Sequence, residues 1–100
     1  MNGHQAKPAP DDLVARGPGL LTTTVDGELV AMSIASGACY GLNRVGARAW
    51  ELLERPRSIR SLCDALVVEF DVAPATCLAG MTELIEGLRA EGLVTVDPAR

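Results

Sequence analysis

The sequence predicts an α+β fold: a three-stranded antiparallel sheet followed by three helices. Three observations carry the prediction. Residues 20–42 are short runs of apolar and β-branched residues, cut by turns at Asp26-Gly27 and Ala35-Ser36-Gly37. From Val45 onward, apolar residues recur at helical spacing instead. Asn43, Ser58 and Pro74 open helices, and Pro56 closes one.

The elements follow in order. Residues 1–19 hold His4, Lys7, Pro8, Pro10, Asp11, Asp12, Gly17 and Pro18. They read as a flexible tail in which Leu13 and Val14 can dock as an extra extended segment. Leu20 to Val25, rich in Leu, Thr and Val, is the first strand. Asp26-Gly27 makes a two-residue hairpin turn, since both residues tolerate positive φ. Glu28 to Ile34 is the second strand. Leu29, Ala31 and Ser33 share one face, and Val30, Met32 and Ile34 the other; the larger side chains make the latter the expected core face. Ala38 to Leu42 is the third strand.

Asn43 caps the first helix, whose stripe is Val45, Ala49, Trp50, Leu52 and Leu53. Ser58 caps the second, with Ile59, Leu62, Cys63, Leu66, Val67 and Phe70 in line. Pro74 starts the third, with Leu78, Met81, Leu84, Ile85 and Leu88, and Gly92 stands at its C′ position. Leu93 to Val96 reads as a short final strand. A folded domain over 20–96 leaves 97–100 as a C-terminal tail. Strands first and helices after is a winged-helix-like composition.

Composition bounds the function. A chain of 100 residues favours one domain, and 48% apolar content suffices for one core. A net charge of -4 argues against a surface built for phosphates. No apolar run approaches the length of a membrane span, and no secretory signal opens the chain. Cys39, Cys63 and Cys77 make an odd, widely spaced set, which fits a reducing compartment, the cytoplasm.

Catalytic chemistry is poorly served. The single histidine, His4, lies in the tail with nothing to orient it against a nucleophile. Cys63 sits on an apolar stripe and reads as core. Cys77 falls in a first helical turn, where a thiol pKa can drop, yet a packing or surface role fits it better. No Cys or His pair has metal-site spacing, and no glycine pattern cradles phosphate. The reading is a non-enzyme with no metal and no cofactor.

Nucleic acid is the rival partner, because winged helices often dock in the major groove. Arg55, Arg57 and Arg60 form a small basic cluster, but the second and third helices carry Asp64, Glu69, Glu83, Glu86 and Glu91. The third strand, by contrast, is short, nearly uncharged and at the sheet border. Such an edge offers unpaired amides and carbonyls to an extended peptide, or to a second copy of the chain.

The residues that carry a family resemblance are these. Asp26-Gly27-Glu28-Leu29-Val30 leads to Ser36-Gly37-Ala38-Cys39-Tyr40-Gly41-Leu42-Asn43, a G-x-x-Y-x-L-N pattern. Val45-Gly46-Ala47-Arg48-Ala49-Trp50-Glu51-Leu52-Leu53 follows as G-A-x-x-W-x-L-L, with Leu66, Phe70-Asp71-Val72, Leu84, Leu88 and Gly92-Leu93-Val94 beyond it. In order and spacing, over residues 20–96, this resembles the PqqD family, the precursor recognition elements of ribosomally made, modified peptides. The resemblance implies a protein that binds the leader of a precursor peptide as a strand added beside the third strand and against the third helix. It places contacts at Ala38, Cys39, Tyr40, Gly41 and Leu42, and at Met81, Leu84, Ile85 and Leu88. Ala38 and Cys39 stand where the family often has bulkier or charged residues.

Within the family, the chain is most similar to the leader-binding proteins of lasso-peptide pathways. That similarity implies a separate transglutaminase-like cysteine protease as partner, with a cyclase acting afterwards. The alternative branch is the chaperone of pyrroloquinoline quinone synthesis, which serves a radical enzyme.

Overall fold

The computed structural model describes residues 7–98. His4 therefore lies outside the described residues, as do parts of both expected tails. In chain order the elements are β1 (Leu13–Arg16), β2 (Leu20–Val25), β3 (Glu28–Ser33), β4 (Cys39–Leu42), α1 (Arg44–Leu52), β5 (Arg57–Ser58), α2 (Ile59–Phe70), α3 (Pro74–Ala90) and β6 (Val94–Asp97). This is an α+β arrangement of two three-stranded sheets and three helices. Among the described residues, no helix is long and apolar enough to cross a membrane.

The expected meander is β2-β3-β4, antiparallel throughout. Asp26 and Gly27 both take positive φ, 51° and 85°, the geometry that a two-residue hairpin needs to match strand twist. The Asn43 side chain accepts the Gly46 amide at 2.8 Å and opens α1. Ser58 accepts the Ser61 amide at 3.0 Å and opens α2. Helix α3 begins on Pro74. It ends in a Schellman motif: Gly92 at φ 76°, with the Leu93 amide donating to the Leu88 carbonyl and the Gly92 amide to that of Arg89.

A second sheet, β5-β1-β6, goes beyond the sequence reading, which has Leu13-Val14 as a docked extended segment and Leu93 to Val96 as a strand but does not join them. Leu13–Arg16, within the segment read as tail, is its central strand, and Val14 is fully buried. Two apolar residues amid prolines carry little strand signal alone. They gain their partners from far along the chain, with Leu13 opposite both Asp97 and Ser58. β6 runs to Asp97, one residue into the segment read as a C-terminal tail.

The core face of β3 also departs from the reading. Ala31 and Ser33 are buried, whereas Ile34 is 63% exposed and Val30 and Met32 are half-buried. Size misleads here. Ala31 lies opposite Tyr40 and Leu29 opposite Leu42, so the face is set by the large residues of β4, and the alanine makes room for them. The core joins Val14, Trp50, Leu53, Ile59, Leu62, Leu66, Ile85, Leu88 and Leu93. Arg16 ties the two halves: its guanidinium donates to the Trp50 carbonyl and lies 4.9 Å from the indole centroid.

Candidate functional site

Among the described residues β4 hydrogen-bonds to β3 alone, so its other side is an open edge. The Ser33 amide donates to the Ala38 carbonyl at 2.9 Å, which fixes the phase of the ladder. Tyr40 and Leu42, at the same phase, turn their main-chain groups toward β3. Alternation then leaves the N–H and C=O of Cys39 and Gly41 facing outward. Across from this edge stands α3, held chiefly by its packing on α2 and β6.

Between them runs a groove of about 610 Å³. Its strand side is Tyr40, Gly41 and Leu42, and Asn43, Val45 and Gly46 line it where α1 begins. Thr76, Cys77, Gly80, Met81, Glu83 and Leu84 form the helix wall, with Val72 at the mouth. Asn43, Thr76 and Glu83 are exposed; Val45, Leu84 and Val72 are half-buried. Gly46 lets α1 start close to the wall, for a Cβ there would lie 3.4 Å from a Leu84 methyl. Gly80 leaves open space, with nothing within 4 Å of where its Cβ would be.

Of the residues expected at the site, Tyr40, Gly41, Leu42, Met81 and Leu84 line this groove. Ala38 and Cys39 belong to the same hairpin arm but lie beyond the lining; Cys39 is exposed. Ile85 and Leu88 do not reach the groove: they are 0% and 1% exposed and belong to the core. The apolar stripe of α3 merges two faces. Ile85 and Leu88 turn inward, Met81 borders both core and groove, and Gly80 and Leu84 turn toward β4. Thr76, Cys77, Gly80 and Glu83, with Asn43 at the cap of α1 and Val45 and Gly46 in its first turn, are wall residues that the stripe did not indicate. The spacing Thr76, Gly80, Leu84 at i, i+4, i+8 is the signal that marks that second face.

Cys63 and Cys77 are buried free thiols on facing helices. Burial, and then a hydrogen bond with Cys77, push the Cys63 thiol up to about 12. It is a protonated core group, not a nucleophile. Among the described residues, no three His, Cys, Asp or Glu side chains gather where they could hold a metal ion.

A second depression, about 630 Å³, lies under the β2–β3 turn and is lined by Glu28, Arg44, Ala47, Arg48, Glu51 and Phe70 among others. Its charges are largely engaged internally: Arg48 pairs with Glu51 at 3.1 Å and with Glu69 at 3.0 Å. In the basic cluster, Arg60 pairs with Asp11 at 2.8 Å, which weakens it as a phosphate-binding patch.

Comparison with known proteins adds two findings. The family model described as "Coenzyme PQQ synthesis protein D (PqqD)" matches residues 28–94. Among solved structures, "TbiB1 in Complex with the TbiA(beta) Leader Peptide" is similar with a TM-score of 0.70 and 25% identity, over 80% of this chain and 93% of that one. Comparison with curated proteins gives no match.

Proposed function

Because the chain belongs to the PqqD family, whose model spans residues 28–94, we propose that it binds the leader segment of a ribosomally synthesised precursor peptide. The leader adds as a strand along β4, under α3. One observation carries the reading: the open edge of β4, with the outward amides and carbonyls of Cys39 and Gly41, continues at Gly41 into a groove with an apolar floor. The likeness to a protein solved with its own leader peptide supports it. Each main-chain bond contributes about 0.5–1.5 kcal/mol net, whatever the peptide sequence. Selectivity then falls to Val45, Met81, Leu84 and Val72, with the space over Gly80 to receive a large side chain.

The protein is a non-catalytic cytoplasmic adaptor on this reading. The motifs G-x-x-Y-x-L-N and G-A-x-x-W favour a lasso-peptide pathway, in which the bound precursor is presented to a separate leader protease. The branch that serves a radical enzyme would use the same groove.

The test is an NMR titration of the labelled protein with a panel of precursor leader peptides, the TbiA(beta) leader among them. The amides of Cys39 and Gly41 shift and gain protection from exchange, and Gly41→Pro weakens binding while the fold persists. Shifts confined to the Arg55–Arg60 region, or tight salt-sensitive binding of duplex DNA with no leader bound, would overturn the proposal.

A further inference from the structure

We propose that Tyr40 is a strut that holds the groove between β4 and α3 open, and that Gly87 is the seat it requires. This inference rests on the leader-strand reading of β4. Tyr40 points from the inner face of β4, between Ala31 and the buried Leu42. Its ring lies against α3 at Gly87: a Cβ built there would sit 2.5 Å from the phenol oxygen, 3.1 Å from Cζ and 3.2 Å from Cε2. Only a residue without a side chain leaves room for the ring. Two turns earlier on the same face, the open space at Gly80 shows the groove unobstructed. The tyrosine therefore closes one end of the groove and spaces the helix from the strand.

An alanine at 87 forces one partner to move. The helix is held there by Ile85 and Leu88, both buried. Ala31 and Leu42 are buried beside the ring. The free direction is the groove, so the displaced ring occupies the place of the incoming strand. Removing the phenol oxygen relieves the worst contact and leaves two that need to yield only a few tenths of an ångström.

The experiment compares the affinity of a leader peptide from the panel for wild type, Gly87→Ala, Gly87→Ala/Tyr40→Phe and Tyr40→Ala, alongside their melting temperatures. Gly87→Ala loses about tenfold in affinity or more, the scale of one well-placed contact. Its melting point does not fall correspondingly, since alanine favours the helix interior. The double variant regains most of the loss, which a merely destabilised helix would not do. Tyr40→Ala, which fits any seat, also binds about tenfold more weakly. Wild-type affinity in Gly87→Ala or in Tyr40→Ala, or a double variant as weak as Gly87→Ala, overturns the strut. If wild type binds with Gly41 shifted and Gly87→Ala binds equally well, the strut alone fails. If wild type binds no leader at Gly41, the leader-strand reading fails and the strut with it.

Discussion

The two sheets of this protein are alike in size and opposite in exposure. In β5-β1-β6 the central strand has a neighbour on each side, and Val14 and Val94 are 0% and 2% exposed. In β2-β3-β4 five of the six residues of β2 are exposed, and among the described residues nothing pairs with the side of β4 that borders the groove. The first sheet joins the two ends of the chain to the helical core. The second projects from that core with backbone groups unspent. A small domain needs most of its apolar surface to stay folded. The edge that borders a groove is therefore the place to look for a partner, and the sheet buried against the helices is where stability resides.

Substitutions can break this contrast, and the largest effect falls on the join. Trp50 is 3% exposed and holds Arg16 through both its carbonyl and its ring. Trp50→Ala should cost about 3–5 kcal/mol, enough to unfold much of the population. Denaturant melts read this directly, and an unchanged midpoint would mean the core is placed wrongly. Val14→Ala comes next. Two buried methyl groups and the space they leave are worth about 2 kcal/mol, or roughly 10 °C in melting temperature. A melt that ignores Val14→Ala would reduce β1 to a dispensable tail. Gly41→Pro should do the reverse. Its N–H faces away from β3, and a Cβ there meets nothing within 4 Å, so the fold should tolerate the ring. Leader affinity should fall about 2- to 10-fold for the lost bond. If Gly41→Pro unfolds the domain instead, the two sheets are not divided in labour as argued.

Local signals account for what was legible in the sequence. Asp26-Gly27, Asn43, Ser58, Pro74 and Gly92 each act on backbone geometry or hydrogen bonding within three or four residues of themselves, so the chain alone reveals them. The strand that borders the groove was legible for the same reason, since turns bracket it. The second sheet was not. Leu13 to Arg16 acquires strand character through Val94 to Asp97, some eighty residues away, and through Arg57–Ser58, and no local pattern encodes those pairings. The core face of β3 misled because side-chain size ranks Met32 above Ala31, while packing against Tyr40 selects the smaller residue. On α3 the periodicity was right and the division of faces was not. A helix packed on one side and lining a groove on the other shows one broad apolar stripe, and only the fold assigns Ile85 and Leu88 to the core and Leu84 to the groove.

The smallest effect concerns pH, and it probes the wall shared by core and groove. Cys63 faces Cys77, which itself lines the groove. Burial, then the bond to Cys77, raises the Cys63 thiol from 9.0 to about 12, because the charged thiolate is disfavoured there. The sign follows from proton counting. Below pH 9 the thiol is protonated in folded and unfolded chains alike, and its contribution to stability is fully present. Between about pH 9 and pH 12 the unfolded chain releases this proton while the folded chain retains it, so stability falls as pH rises through that window. Denaturant midpoints measured across the window should decline more steeply for wild type than for Cys63→Ala, whatever offset the smaller side chain introduces at neutral pH. Equal slopes would place the thiol in contact with water, and with it the junction of α2 and α3. Then the α3 wall would be looser than a groove that must hold its width for an incoming strand.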